Sequence, residues 1–130
     1  MIVKLPWPNP ALAPNRSSGR HWSGLADIKS KAKGDAYALT KKALEGRKSP
    51  YLDFVGDIPV SLLFLTPDKR RRDIDGLLSS AKHALDGVCL ALGIDDSRLR
   101  PILVDRVAGP DKIGGLIVAV GITLISGVNL

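Results

Sequence analysis

The sequence has one cysteine, one glutamate and few aromatic residues. A lone cysteine, Cys89, excludes a disulfide within the chain and fits a reducing compartment, so we expect a cytoplasmic protein. No apolar run reaches the roughly 20 residues that a membrane-spanning helix needs. Prolines interrupt the opening MIVKLPWPNP, which therefore does not resemble a secretory leader. These absences predict that the protein has no membrane partner.

What the sequence contains is typical of an ordinary globular domain. Its 130 residues are 45% hydrophobic and 25% charged, and this length allows one sizeable core but not two. We therefore expect a single domain spanning residues 1–130.

The net charge of +6 is concentrated in one early segment. Residues 16–48 contain nine basic and three acidic residues, and the rest of the chain is balanced. Such a segment suits a face held against a polyanion, but a solvated helix surface explains it equally well. Twelve of the thirteen acidic residues are aspartates, which are typical of turns, caps and metal sites.

Hydrophobic spacing and turn signals predict the order β-α-β-α-β-β. Ser23 is the expected N-cap of the first helix, and Gly46 and Pro50 mark its end. The predicted elements are a strand at 2–5, this first helix, a strand at 58–65, a helix at 75–92, and strands at 102–107 and 116–124. This order implies an α+β domain of two layers, a mixed four-stranded sheet with two main helices packed on it.

The second helix has an apolar face that follows helical spacing as far as Leu92, so that face is expected to be core. Cys89 lies within it and is interpreted as a buried apolar residue. On the opposite face, at 100° per residue, Lys82 lies only about 20° from Asp75 around the axis. Lys82 is therefore a candidate for reaching back to a site at Asp75, with a surface ion pair to Asp86 as the alternative.

Two aspartates flank the start of this helix, directly after three arginines. One aspartate there is explained as a cap, but Asp73 and Asp75 together are not. Two hard oxygen ligands beside cations suggest a Mg²⁺ held against a phosphate that the arginines bind. Such a metal would generate the attacking hydroxide and stabilise the leaving oxygen in cleavage of a DNA phosphodiester. The candidate DNA contacts are Lys69, Arg70, Arg71 and Arg72, with Asn15, Arg16 and Arg20 in the early basic segment.

The run PDKRRRDIDGL at residues 67–77, followed by ALD at 84–86 and GIDD at 93–96, resembles the RusA family of Holliday-junction resolvases. The opening LPWP at residues 5–8 and the later Pro14 and Asn15 are also similar to that family. The resemblance covers about residues 3–123. It implies a homodimeric, Mg²⁺-dependent endonuclease (Mn²⁺ being a possible substitute) that nicks opposed strands of four-way junctions or related branched DNA, in a bacterium or its phages and prophages.

By position, the resemblance places the essential aspartates at Asp73, Asp75 and Asp96. Two positions depart from the family pattern. Gly76 stands where an asparagine is common, and Ser79 stands where a functional lysine is common. Lys82, on the same predicted helix face, is the candidate replacement for that lysine.

The length of the second helix bears on Asp96. A helix of about 18 residues is about 27 Å long, and Asp96 follows the end opposite to Asp75. Ligands of one ion must all lie about 2.1 Å from it. Unless the helix breaks at Gly87, we therefore expect Asp96 to reach the site of a two-fold partner.

The main alternative is a non-catalytic DNA-binding protein that uses the basic segment 16–48, with the aspartates as caps and ion-pair partners. A third hypothesis is a nuclease that acts on other branched or looped DNA.

Overall fold

The computed structural model describes residues 1–13 and 22–121. Within them the chain forms four strands and three helices, named here in chain order: β1 (Ile2–Leu5), α1 (Trp22–Leu44), β2 (Ile58–Thr66), α2 (Ile74–Ser80), α3 (Lys82–Leu92), β3 (Leu99–Ala108) and β4 (Gly115–Val120). Short 3₁₀ turns occupy Pro10–Leu12 and Asp96–Arg98. This confirms the predicted α+β class.

The four strands form one mixed sheet in the order β1-β4-β2-β3. β4 pairs antiparallel with both β1 and β2, whereas β2 and β3 are parallel. The segment containing α2 and α3 is therefore the crossover of a β-α-β unit. β3 extends three residues earlier than predicted, past Pro101, which an edge strand tolerates because its backbone is not paired on one side.

The core lies between one sheet face and the helices. Alternate residues of β2 are fully buried there, Ile58, Val60, Leu62 and Phe64 among them. α3 packs on α1 at very close range. A Cβ on Gly87 would lie 2.1 Å from the carbonyl oxygen of Lys33, so only glycine allows the two backbones to approach this closely.

The prediction of one continuous second helix is wrong. α2 ends at Ser80, and Ala81 has φ −91° and ψ −4° before α3 begins. The Ser80 hydroxyl donates a hydrogen bond of 2.7 Å to the Leu77 carbonyl, and the Ala81 N–H is shared between the carbonyls of Leu77 and Leu78. Serine bonding back to the previous turn bends helices. Residues 1–13 and 22–121 thus contain three helices rather than two main ones, and the break lies at Ala81, not Gly87.

Of the two predicted limits of the first helix, the structure contradicts the start and confirms the end. α1 begins at Trp22, so Ser23 lies inside the helix and its prediction as N-cap is wrong. At the other end, Glu45 and Gly46 have positive φ values of 53° and 77°, which end the helix where predicted. None of the helices described is long and apolar enough to cross a membrane.

Candidate functional site

The candidate site lies at one edge of the sheet. The strand directions bring the carboxyl ends of β1, β2 and β3 to this edge. The loops that follow these strands therefore meet there: the proline-rich loop (residues 6–13), the arginine loop (residues 67–73) and the β3–β4 connection (residues 109–114). The arginine loop leads directly into α2.

Asp68 organises the arginine loop. Its carboxylate lies 2.9 Å from one guanidinium nitrogen of Arg72 and accepts a hydrogen bond of 3.1 Å from another. It also accepts a hydrogen bond of 2.8 Å from the backbone N–H of Arg70. The hydrogen bond from Arg72, and next the one from Arg70, lower the pKa of Asp68. Asp68 thus holds the arginine loop in shape.

Arg72 also connects the arginine loop to the proline-rich loop and to β3. Its guanidinium lies over the Trp7 ring, 5.0 Å from the ring centroid. The Trp7 ring in turn packs edge-on against Phe64, with 6.0 Å between centroids. From β3, the Arg106 guanidinium donates a hydrogen bond to the Arg72 carbonyl oxygen. Arg72 thus has structural partners on both sides of the loop, and its side chain is only 17% exposed.

Asp73 and Asp75 differ from Asp68 in having no such partners. Asp73 is the N-cap residue of α2 by position, but its side chain makes no capping hydrogen bond. Both side chains are exposed. Among the residues that the structure describes, neither carboxylate forms a hydrogen bond or ion pair. The reading of these aspartates as caps or ion-pair partners therefore has no support in their contacts.

The remaining cations of the loop face solvent. Lys69, Arg70 and Arg71 are all exposed. Arg70 reaches Asp68 only at 3.9 Å, and its side chain is 70% exposed. Such exposed pairs contribute little to stability, so these three side chains are available to an external anion.

Asp96 lies at the opposite edge of the sheet. It precedes the amino end of β3, whereas Asp73 follows the carboxyl end of β2, and parallel strands place these two ends at opposite edges. In the described part of the chain, no three acidic, histidine or cysteine side chains are grouped to hold a metal ion. One chain therefore does not bring Asp96 together with Asp73 and Asp75.

Asp95 and Cys89 lie near Asp96 and have structural roles. The Asp95 carboxylate caps the 3₁₀ turn by accepting a hydrogen bond of 2.9 Å from the Ser97 N–H, and this bond lowers the pKa of Asp95. Burial, and next the negative charge of Asp96, raise the pKa of Cys89 to about 12. A thiol that stays protonated at neutral pH is unreactive, as expected for a buried apolar residue.

The break at Ala81 removes the argument that Lys82 lies on the same helix face as Asp75. The 20° offset from Asp75 assumed one regular helix, but Lys82 begins α3 and Asp75 lies in α2. Lys82 is exposed, and its catalytic role stays a prediction. Asn15, Arg16 and Arg20 lie outside the described residues.

Sequence reasoning missed three contributors to this edge. Trp7 and Arg106 contact Arg72 from distant parts of the chain, and no local spacing signals such contacts. Gly76 was noted only as a departure from the family pattern. A Cβ there would meet no atom of the described residues within 4 Å, so they leave open space beside Gly76.

No protein-family model matches the chain. A search of curated proteins finds an uncharacterized protein of Xylella fastidiosa (strain Temecula1) that is 31% identical over 123 residues. The match covers 93% of this chain and 76% of the Xylella protein. Similarity at this level over nearly the whole chain shows common descent, and the chain therefore belongs to the same protein family as this Xylella fastidiosa protein.

Proposed function

We propose that the protein is a Mg²⁺-dependent endonuclease that resolves four-way DNA junctions by paired symmetric nicks, acting as a homodimer in the cytoplasm of a bacterium or of a phage-infected host. The observation that supports this most is the contrast within the arginine loop. Asp68 neutralises Arg72, while Asp73 and Asp75 are exposed beside Arg70 and Arg71 and have no partner in the described part of the chain. The resemblance of this loop to the RusA family gives the reaction and the substrate.

The residues present fit a magnesium ion. Mg²⁺ is commonly held in proteins by one or two carboxylates together with water and substrate phosphate oxygens. Asp73 and Asp75 supply two carboxylates with no competing hydrogen bonds among the described residues. When bound, the ion would activate water and offset the charge that develops on the phosphate.

The chain's own residues would position the DNA. Arg70 and Arg71 are exposed next to the aspartates and are suited to hold the phosphates on either side of the cut. Arg72, fixed by Asp68 and Trp7, would keep the loop in shape rather than contact DNA.

We infer further that Asp96 completes the site of a partner chain. The parallel pairing of β2 with β3, which separates Asp96 from Asp73 and Asp75, supports this arrangement. Two such composite sites in one dimer would suit the cutting of two opposed strands.

The test is cleavage of a synthetic four-way junction, with a fork and a linear duplex of the same sequence as controls, in 0.1 M salt with Mg²⁺. We expect paired nicks in the junction alone. In Asp73→Asn and Asp75→Asn, we expect junction binding to persist and the nicking rate to fall about 10³-fold or more. Salt at this level suppresses binding that depends only on phosphate charge.

Asp53→Asn is the matched control. It removes one exposed carboxylate, which has no ion pair within residues 1–13 and 22–121, from a different loop and changes the net charge equally. It should cut like the wild type. Junction binding without cleavage in either Mg²⁺ or Mn²⁺ would contradict the proposal and favour the non-catalytic DNA-binding alternative. Equal cleavage of fork and junction would show that the protein is a nuclease that cuts branched DNA more broadly than four-way junctions.

A further inference from the structure

A cavity of about 430 Å³ opens between the proline-rich loop and the arginine loop. We call it the edge groove. Trp7, Pro8 and Pro10 form one wall and Arg70 and Arg71 contribute to the other. Asp73, at the end of the arginine loop, and Gly76 of α2 also line the groove. Its volume lies in the range of pockets that bury a small organic ligand, roughly 300–1,000 Å³.

The two walls differ in chemistry. The aromatic ring and prolines form an apolar wall, and Trp7 is held in place by Arg72 on its face and by Phe64 at its edge. The opposite wall presents guanidinium groups that are open to solvent. A ligand that combines a flat, weakly polar ring with a phosphate matches both walls. A nucleotide has this composition.

Gly76 leaves the groove open beside the aspartates. Packing among the described residues does not require glycine there, because an added Cβ would meet none of their atoms within 4 Å, and its φ is not positive. Gly87 differs, since it is needed for the contact between α3 and α1. Glycine also costs backbone entropy within a helix. What glycine provides at position 76 is free space in the groove.

We infer that the edge groove binds one unstacked nucleotide of the strand being cut, with its base against the apolar wall and its phosphates towards Arg70 and Arg71. Gly76 admits this nucleotide, and a larger side chain there would exclude it. The inference rests on the proposed function, because it places the nucleotide next to the phosphate that a Mg²⁺ ion at Asp73 and Asp75 would bind. Nucleotides at the branch point of a junction are the easiest to unstack, because pairing and stacking are weakest there.

The inference is tested without cleavage. A four-way junction carrying 2-aminopurine beside the branch point is titrated with protein in the presence of EDTA, because this base fluoresces more strongly when it unstacks. We expect the wild type to raise the fluorescence and to bind a four-nucleotide oligothymidylate. We expect Gly76→Leu to lose the rise and to bind the oligonucleotide about tenfold more weakly, in line with the loss of one stacked base. Gly76→Ala should have a smaller effect in the same direction.

Gly34→Leu is the matched control. Gly34 also lies within a helix, and a Cβ there meets nothing within 4 Å, but it does not line the groove. This variant should retain the fluorescence rise and the affinity, and the circular dichroism spectra of all variants should match that of the wild type. An unchanged fluorescence rise and affinity in a folded Gly76→Leu protein would overturn the inference.

Failure of the groove and failure of the proposed function give different results. A wild-type protein that nicks the junction with Mg²⁺ but never raises the 2-aminopurine signal has the activity without the nucleotide site. A protein that raises the signal through Gly76 but cuts nothing has the nucleotide site without the activity.

Discussion

The Asp68 carboxylate is held by two nitrogens of the Arg72 guanidinium, at 2.9 and 3.1 Å. The next acidic residue, Asp73, directly follows Arg72 in sequence, but it forms no ion pair among the described residues. The loop therefore neutralises one of its arginines internally. Lys69, Arg70 and Arg71 remain for an external ligand, together with the carboxylates of Asp73 and, from α2, Asp75. Asp68 and Arg72 shape the loop, and their neighbours are available for chemistry.

Replacing Asp68 tests this division of roles. In Asp68→Asn we expect junction nicking to slow by about 10- to 100-fold, because Arg72 loses its partner and the aspartates shift. Thermal stability should change little, because the pair is partly exposed. Glu45→Gln, which removes the exposed ion pair to Arg47, is the control and should leave nicking unchanged. Equal nicking rates in both variants would show that the loop geometry does not depend on Asp68.

Mixing two inactive variants tests whether Asp96 acts across a dimer. Asp75→Asn and Asp96→Asn should each be inactive alone. Mixed dimers would contain one intact site, made from the unaltered Asp75 of one chain and the unaltered Asp96 of the other. After random exchange at equal concentrations, about half of the dimers are mixed and each has one intact site of two. About a quarter of the wild-type number of sites should therefore be active, measured as single nicks. A mixture that stays inactive after confirmed subunit exchange would place all three aspartates in one chain's site.

Two glycine substitutions should have opposite effects on stability. Gly87→Ala forces a Cβ to 2.1 Å from the Lys33 carbonyl oxygen, and we expect it to lower the free energy of unfolding by about 3 kcal/mol. Gly34→Ala meets nothing within 4 Å and should raise it by about 0.5–1 kcal/mol. Urea denaturation measures both. Equal stability of the two variants would mean that α1 and α3 are not in such close contact.

His83 should make stability fall in mild acid. Burial, and next the charge of Lys29, lower the pKa of His83 in the folded chain. The unfolded chain takes up this proton near pH 6.5 and the folded chain does so only at lower pH, so the free energy of unfolding decreases as the pH drops below about 6.5. Urea denaturation at pH 7.5, 6.5 and 5.5 should show a shallower decrease in His83→Gln. His21 is present in both proteins, so its contribution cancels. An identical pH dependence would assign the effect to other groups.

Much of the fold could be predicted because the local signals were strong. The alternation of buried residues in β2, the apolar face that ends at Leu92, and Gly93 with its φ of 69° all act over a few residues. The break at Ala81 was missed because Ser79 and Ser80 are acceptable helix residues by propensity. The distortion is visible only in the structure, in the dihedral angles of Ala81 and in the hydrogen bond from the Ser80 hydroxyl to the Leu77 carbonyl.

The site was predictable in part for the same reason. Asp73, Asp75 and the arginines are adjacent in sequence, so their proximity is guaranteed. The contact between Arg72 and Trp7 joins residues 65 positions apart, and it depends on the sheet order β1-β4-β2-β3. The choice of Arg72 as the partner of Asp68 depends on the same arrangement. The prediction that Asp96 is separate relied on one unbroken helix, and that helix breaks at Ala81. The parallel pairing of β2 with β3 is the reason for the separation.

That parallel pairing has a consequence for control of the proposed activity. If the third aspartate must come from another chain, an isolated chain cannot cut DNA, and newly made protein is harmless until enough of it accumulates to associate. Below the concentration at which dimers form, the cutting rate would fall with the square of the protein concentration. Dosage alone would then restrain such a nuclease, with no inhibitor required.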